Sequence, residues 1–282
     1  KGGSQKLSDA LVDIIEDNGG KVLLNSMAEA VEPEEGKTYI VKYCSKEKGP
    51  IAGNIAKAES VIVNASLPQL RDKLMTKKSL PGLEEEIKDL NIGASLLTVY
   101  FGFKKALKSI GNKNYSLFIY DENVNTQADI LDNNHSDFES RSFTFVDYSQ
   151  VDSGLAPEGK SVGAVCCIDY LDDWSGLDRK DYNDRKKLVG EIFTRRLEKV
   201  IPGFADAVEY IEVGTSQTVK RYTLNPEGAV YGFAQNPAKS VSYLESLPEN
   251  IYVASAWGKF GGGFSGAIFS GYMTAFDILR KR

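Results

Sequence analysis

Histidine and cysteine are scarce in this chain, and long apolar runs are missing. The 282 residues hold one histidine, His135, and three cysteines, Cys44, Cys166 and Cys167, none of them in a C-x-x-C pair. This usage argues against a metal centre and favours a reducing, cytoplasmic compartment. His135 lies in a polar stretch, so we expect an exposed side chain rather than a catalytic base. No apolar run reaches the ~18 residues needed to span a bilayer.

An excess of positive charge is also missing. Lysine and arginine total 34 against 39 aspartates and glutamates, a formal net charge of −5. Lys104, Lys105 and Lys108 form a short basic run that a solvated face explains. This balance argues against a nucleic-acid partner. The hydrophobic content of 42% is ordinary for a globular protein of one large or two modest domains.

Residues 1 to about 66 have the pattern of a helix, a strand, a hairpin and a strand. Apolar residues recur at helical spacing after Ser4, which suits an N-cap, and the helix should end at Asn18-Gly19-Gly20. We expect turns at 33–36 and 49–53 and strands at Lys21–Asn25, Thr38–Cys44 and Ser60–Ala65.

The middle of the chain predicts a mixed sheet with a few helices. Two short helices are expected at 67–74 and 83–90, a long exposed loop at 121–137, and a clear helix at 181–200. Residues 208–222 have the pattern of a long strand or a pair of strands. The other strands are expected at Ser95–Lys104, Tyr115–Tyr120, Ser142–Tyr148 and Ser161–Tyr170.

The chain ends in an apolar strand, a glycine-rich turn and an amphipathic helix. Gly261, Gly263 and Gly266 spell G-x-G-x-x-G, whose glycines let backbone amides approach a phosphate or another electron-rich group. A dinucleotide fold needs a second strand and an acidic residue after such a motif, and too few residues follow Gly266 to supply them. The motif is therefore expected to close a cofactor site rather than to open one.

Together these patterns predict the α/β class for the two ends of the chain and, with the mixed sheet of the middle included, an α+β protein overall. Segments 1–66 and 248–282 are expected to form one α/β domain, with a mixed-sheet domain, 67–247, inserted between them.

Five motifs in order resemble the phytoene desaturase, carotenoid isomerase and retinol saturase family of FAD-dependent oxidoreductases. The resemblance covers almost the whole chain, aligned with the carboxyl-terminal half of the family or slightly more. The motifs are the helix between Gly2-Gly3 and Gly19-Gly20, the strand ending in Asn64-Ala65, Ala156–Gly159, Asn225–Gly232, and the final strand, glycine turn and helix.

The resemblance implies an incomplete FAD domain of the glutathione-reductase type, formed by both ends of the chain, with an inserted substrate domain. The family's amino-terminal G-x-G-x-x-G unit does not match any part of these residues. We therefore expect a portion of a longer protein, which binds FAD when complete but not as this chain alone. Ser255 replaces a family glycine, and Phe260 replaces a family proline.

The resemblance also implies a site. The flavin would perform the chemistry, so no catalytic residue is expected. Tyr231 and Gly232 resemble a substrate-facing element, although a core tyrosine is an equal alternative. The cofactor-binding residues would be Ala28, Val31, Asn64, Ala65, Ser255, Gly261, Gly262, Gly263, Gly266 and Ala267.

The implied function is hydride transfer between flavin and an apolar polyene or isoprenoid. The alternatives are a cofactor-free fragment with a structural or substrate-binding role, and an amine-oxidase-like flavoenzyme. Such substrates favour peripheral membrane contact, and open sheet edges favour a homodimer. The aromatic residues of the inserted domain either line an apolar tunnel or, by our preference, form a sheet core; they are Tyr100, Phe101, Phe103, Phe118 and Tyr120.

Overall fold

The computed structural model describes residues 1–35, 37–45, 53–236 and 241–281. The chain divides into two compact units. The five-stranded unit comprises Lys1–Val22 and Ser95–Thr218, and the parallel-strand unit comprises Leu23–Ala94 and Val219–Arg282. The functional domains expected at 1–66, 67–247 and 248–282 stay a prediction.

Ten strands are described. They are β1 (Ser26–Glu34), β2 (Thr38–Ser45), β3 (Asn54–Ala58), β4 (Val61–Val63), β5 (Ser95–Phe103), β6 (Ser116–Ile119), β7 (Phe143–Asp147), β8 (Ser161–Asp169), β9 (Val208–Gly214) and β10 (Ile251–Val253).

Eight α-helices are described, and short 3-10 and π turns connect several elements. The helices are α1 (Gly3–Asp17), α2 (Leu67–Gln69), α3 (Leu83–Ile87), α4 (Gln127–Asn133), α5 (Arg179–Val200), α6 (Phe204–Ala207), α7 (Ser216–Thr223) and α8 (Gly263–Lys281). Within the described residues, no helix is both long and apolar enough to cross a membrane. The mixed α/β class expected from the sequence is confirmed.

The five-stranded unit is built on an antiparallel sheet of order β6-β7-β8-β5-β9. Side chains along β5 and β8 alternate strictly between buried and less buried, which is the two-residue period of a sheet with one covered face. The covered face packs against α5 through Phe193 and Leu197. Phe204 meets Phe101 edge to face, with 5.1 Å between ring centroids, a favourable aromatic geometry.

The parallel-strand unit holds a second antiparallel sheet, β1-β2-β3, and a parallel pair formed by β4 and β10. In the parallel pair, Val61 lies opposite Ile251 and Val63 opposite Val253. The strands expected at Ser60–Ala65 and after Pro248 are confirmed and pair with each other. Their buried side chains join a core that includes Leu67, Leu70, Leu83, Phe233, Tyr243 and Trp257.

Two expectations near the amino terminus are wrong. Gly2, not Ser4, occupies the N-cap of α1, in a left-handed conformation that glycine adopts without strain. The strand expected at Lys21–Asn25 does not form. Leu23 and Leu24 are exposed, and the neighbouring strand that a ladder requires is not present beside them among the described residues. The first strand instead begins at Ser26.

Capping and backbone geometry explain the other differences. The loop expected at 121–137 contains α4, because Thr126 and Asp129 form a reciprocal capping box. Residues 208–222 hold β9 and then α7 rather than a long strand. Of the turn expected at 33–36, Pro33 and Glu34 belong to β1 and Glu35 is in a turn. Gly36 and residues 49–52 lie outside the described residues.

Candidate functional site

The carboxyl end of the parallel pair brings together three residues that the sequence analysis selected. Asn64 and Ala65 follow β4 and are exposed, whereas Ser255 follows β10 and is buried. The Asn64 side-chain amide donates to the Ala254 carbonyl at 2.6 Å, and the Ala254 amide donates to the Val63 carbonyl at 3.0 Å. Because ligands in α/β sheets bind beyond the carboxyl ends of strands, this edge is the place where a cofactor is expected.

The turn after β10 is held by internal hydrogen bonds. The Ser255 hydroxyl accepts from the Trp257 amide at 3.2 Å, and the Ser255 carbonyl accepts from the Gly258 amide at 3.0 Å. The Tyr243 hydroxyl donates to the Trp257 carbonyl at 3.0 Å. Burial raises the pKa of Tyr243 to about 12, so this donor stays protonated. The serine that replaces the family glycine therefore has a structural role of its own.

Tyr231 and Gly232 pack directly on this turn. A Cβ on Gly232, where φ is +76°, would stand 2.3 Å from the Ala256 carbonyl oxygen. A Cβ on Gly262 would stand 2.6 Å from both Cα and Cδ1 of Tyr231. The Tyr231 side chain nevertheless remains 43% exposed. The two predicted substrate residues and the predicted glycines therefore form one structural cluster.

The amino end of α8 offers free backbone donors. Gly263, Phe264 and Ser265 are exposed, and the first turn contains no acidic residue. The first N–H groups of a helix have no partner within the helix and lie at the positive end of its dipole. Gly266 and Ala267 are half-buried in the next turn. This helix end suits a negatively charged or electron-rich group.

Two predicted cofactor residues lie in a different sheet. Ala28 and Val31 belong to β1, which pairs with β2 and not with β4 or β10. Ala28 is exposed, whereas the Val31 side chain is buried in the core of the parallel-strand unit. No contact described in this structure tests their role in cofactor binding, which stays a prediction.

Sequence reasoning missed the aromatic support beneath the turn. Trp257 packs edge to face on Phe233 with 4.9 Å between centroids, and its indole N–H donates to the Asn225 side-chain oxygen at 3.3 Å. Asn225 also donates to the Ala229 carbonyl at 2.8 Å. Asn225 begins the predicted motif 225–232 and Phe233 follows it, but nothing in a single sequence indicates that they meet Trp257.

No described group of three histidine, cysteine, aspartate or glutamate side chains is arranged to hold a metal ion. Burial raises the pKa of Cys166 and of Cys167, which disfavours the thiolate form that metals bind. His135 stacks on Tyr170 with 4.3 Å between ring centroids.

Comparison with known proteins shows the family of this chain. Residues 1–279 match the family described as flavin containing amine oxidoreductase. The chain is 26% identical over 283 aligned positions to prolycopene isomerase of Daucus carota, covering 98% of this chain and 43% of the relative. It is 25% identical to all-trans-retinol 13,14-reductase of Danio rerio, covering 82% of this chain and 40% of that protein.

A solved structure gives the same fold. Cyclohexylamine oxidase of Brevibacterium oxydans superimposes with a TM-score of 0.60 at 13% identity, covering 98% of this chain and 52% of that structure. The chain therefore belongs to the flavin containing amine oxidoreductases, and it resembles the carotenoid isomerase and retinol reductase members. It spans less than half the length of the curated relatives named above.

Some of the predicted cofactor residues are arranged as a flavin ring would require, and one is explained by packing alone. The free amides at the start of α8 and the exposed edge at Asn64 and Ala65 are suitable for one face and one edge of such a ring. Gly262 does not need a flavin ring to explain its small size, because Tyr231 already fills the place that a Cβ would occupy. Gly262 must therefore be small for packing whether or not a ring lies against it.

Proposed function

We propose that this chain forms part of an FAD-dependent oxidoreductase that acts on a long apolar polyene or isoprenoid, such as a carotenoid or a retinoid. When bound, the flavin would supply the redox chemistry by exchanging a hydride with the substrate. The names of the carrot and zebrafish relatives, prolycopene isomerase and all-trans-retinol reductase, support this substrate class. Desaturation, saturation and isomerisation differ in electron flow rather than in residue type, and the proposal covers all three.

The chain's own residues would bind and orient the ring. Asn64, Ala65 and Ser255 would line one edge, and the amides of Gly263 and Ser265 would stabilise negative charge on the reduced ring. Tyr231, exposed beside the glycine turn, would face the substrate.

The observation that carries the substrate class is the open face of the five-stranded sheet. Three of its strands, β5, β7 and β8, carry no charged side chain on this face. Three aromatic side chains stand out from it, Tyr100 at 53%, Phe118 at 69% and Tyr210 at 60% exposure. Tyr120, just beyond β6, is 55% exposed, whereas Phe101 and Phe103 are in the core. The aromatic residues weighed in the sequence analysis thus divide between the core of the five-stranded unit and exposed positions. On the neighbouring strand β9, Glu212 lies opposite Tyr100, so one carboxylate borders this uncharged surface. The uncharged part, across β5, β7 and β8, suits an elongated hydrocarbon.

An amine-oxidase-like activity is the second candidate. The family description and the likeness to cyclohexylamine oxidase favour it, although a likeness at 13% identity supports the fold alone. A polar amine is expected to need a charged or strongly polar wall, which the open face of β5, β7 and β8 does not offer.

A chimera tests the activity. This chain would replace the matching region of carrot prolycopene isomerase, so that the relative supplies its remaining residues. With prolycopene, all-trans-retinol and cyclohexylamine as substrates, we expect conversion of a polyene and no amine oxidation. Amine oxidation without polyene conversion would establish the second candidate.

Binding to the isolated chain provides a test that does not depend on the chimera. Retinol fluorescence should rise when the chain is added, and Tyr100→Glu on the open face should weaken binding about tenfold or more by placing a charge against the hydrocarbon. Tyr222→Glu is the matched control, because Tyr222 is 76% exposed on α7. Equal binding by both variants would argue against the open face as the substrate surface.

We also propose that this chain alone binds FAD too weakly to retain it. The isolated chain should be colourless after incubation with excess FAD and desalting. A preparation that keeps the visible absorbance of oxidised flavin would contradict this and would exclude the cofactor-free alternative.

Peripheral membrane contact and a homodimer through sheet edges are further proposals. Each described strand of the β4–β10 pair has one neighbour in the sheet, which leaves edges suited to pairing. Light scattering over a range of concentrations should reveal a dimer, and flotation with phosphatidylcholine vesicles should reveal membrane contact. A monomer at all concentrations, or no flotation, would contradict the respective proposal.

A further inference from the structure

The open face of the five-stranded sheet has short side chains along its middle. On this face, β7 and β8 carry neither an aromatic nor a charged residue. Ala164, close to the middle of β8, has the smallest of these side chains, so the surface is lowest there. We term the six half-buried residues of β7 and β8 on this face the floor; they are Thr144, Val146, Val162, Ala164, Cys166 and Ile168.

An exposed aromatic side chain stands on each side of the floor. Phe118 of β6 is on the open face, because its neighbours Leu117 and Ile119 contact the core. On the other side, Tyr100 of β5 lies opposite Ala164 in the ladder. Neighbouring strands are about 4.8 Å apart, so the three spacings from β6 to β5 amount to about 14 Å. Phe118, the floor and Tyr100 thus form a trough that follows the strands.

The Tyr100 ring leans away from the floor. A Cβ on Gly214 of β9 would lie 3.8 Å from Tyr100 Cε2, which places the ring towards β9 rather than over β8. Tyr210 and Glu212 are also on β9, and the Glu212 carboxylate is 2.8 Å from the Lys186 ammonium. These polar groups therefore lie beyond Tyr100 as seen from the floor, and the trough itself is uncharged.

We propose that the hydrocarbon chain of the substrate lies along β8, between Phe118 and Tyr100, and that Ala164 is a specificity-determining residue for it. This inference rests on the proposed function, because it assumes a polyene or isoprenoid on the open face. A chain that crossed the strands in the middle of the sheet would have to pass over Phe118 or Tyr100. Along its nine residues, β8 offers a path of about 30 Å without an aromatic side chain.

Ala164 matters because it is the lowest point of this path. Its methyl group leaves space for the methyl branches of an isoprenoid, whereas a larger side chain would lift the hydrocarbon off the floor. Contact area would then be lost on both sides of position 164, and with it the hydrophobic contribution to binding.

Two phenylalanine substitutions test the orientation. Ser116 and Ala164 are in one row across the open face, since Ser116 lies opposite Val146 and Val146 opposite Ala164. For a chain that lies along β8, Ala164→Phe should weaken retinol binding, measured by retinol fluorescence, about tenfold or more. Ser116→Phe is the matched control, because it only extends the side of the trough at Phe118 and should leave binding nearly unchanged. Equal loss in both variants would mean that the hydrocarbon crosses the strands, which would overturn the proposal.

Cys166 provides a second readout that needs no substitution on the open face. Its side chain is on the floor, two residues from Ala164, whereas Cys167 is buried on the covered face. Cys44→Ser removes the other accessible thiol. With retinol at about ten times its Kd, the reaction of Cys166 with a maleimide should slow about tenfold, since only the unoccupied chain reacts.

The outcomes separate this inference from the function on which it rests. Retinol that binds without protecting Cys166, or that binds Ala164→Phe as tightly as the original chain, would overturn the inference and leave the proposed function standing. Absence of retinol binding to the original chain would contradict the proposed function, and the inference would fall with it. Urea midpoints of both phenylalanine variants show whether a loss of binding is a loss of folding. In that case the protection of Cys166 in the chain that keeps Ala164 decides.

Discussion

Tyr231 occupies the space that any side chain at position 262 would need. A Cβ added to Gly262 would be 2.6 Å from Tyr231 Cα and Cδ1, closer than real Cβ contacts come. The resemblance to flavoenzymes explains the small residue by a flavin ring lying close to the backbone. The structure adds a second reason, which is the packing of the 231–232 segment on the glycine turn.

Gly262→Ala should therefore destabilise the parallel-strand unit by about 1–3 kcal/mol, the usual cost of overpacking. Gly271→Ala is the control on α8, because a Cβ there meets nothing within 4 Å. Exchanging glycine for alanine inside a helix should stabilise the chain by about 0.5–1 kcal/mol. Urea denaturation of both variants measures the difference, and equal stability would contradict the packing explanation.

The Asn64 side chain links the ends of the two parallel strands, and its removal should weaken this link. Asn64→Ala loses the 2.6 Å donor to the Ala254 carbonyl and should cost about 1 kcal/mol. Asn64→Asp keeps the shape but places a carboxylate oxygen against that carbonyl, so it should cost more than alanine. Amide exchange at Ala254 and in β10 should accelerate in the same order. An aspartate variant as stable as the original chain would show that the link contributes nothing.

Several elements could be predicted from the sequence. The strands β5 and β8 and the helix α5 were expected from their residues, and the structure confirms them. Of the apolar residues on α5, Ile192 and Leu197 are buried, whereas Leu188 and Val200 are exposed. The strand at Lys21–Asn25 failed because a ladder depends on a neighbour, which local sequence does not report. Leu23 and Leu24 are apolar yet exposed, because no neighbouring strand is described beside them.

The candidate site divides in a similar way. The glycine turn was selected from its G-x-G-x-x-G spacing, and Asn64 from its place at a strand end and from the resemblance to flavoenzymes. Their roles at a cofactor stay a prediction. The support that Trp257 gives through Phe233 and Asn225 was missed, since contacts between residues 24 and 32 positions apart leave no periodic signal.

The helix that replaced an expected loop depends on one capping box. The Thr126 hydroxyl accepts from the Asp129 amide at 3.2 Å, and Asp129 accepts from the Thr126 amide at 2.7 Å. Thr126→Ala should cost about 1 kcal/mol of helix stability. Amide exchange across 127–133 should then accelerate about fivefold, whereas Thr126→Ser, which keeps the hydroxyl, should leave it nearly unchanged. Equal exchange in both variants would mean that packing, not capping, forms α4.

Glu198 gives the five-stranded unit a defined response to acid. Its two carboxylate oxygens accept from the Gly203 amide at 2.8 Å and the Ala205 amide at 2.7 Å, which hold the start of α6. These backbone hydrogen bonds lower the pKa of Glu198 from its usual 4.5. As the pH falls below 4.5, Glu198 takes up a proton in the unfolded chain before it does so in the folded chain. The stability that its carboxylate contributes is therefore complete above pH 4.5 and is lost as the pH falls through the folded pKa.

Glu198→Gln should therefore reduce stability at neutral pH and flatten its dependence on pH in the acid range, because glutamine does not ionise and has one acceptor oxygen. Urea midpoints measured at a series of pH values from neutrality downward give both quantities. Glu191→Gln is the control on the same helix, since the Glu191 carboxylate lies 4.0 Å from the Lys187 ammonium rather than on backbone amides. That variant should keep the original pH slope. A Glu198→Gln profile parallel to the original would mean that the carboxylate charge does not hold the start of α6.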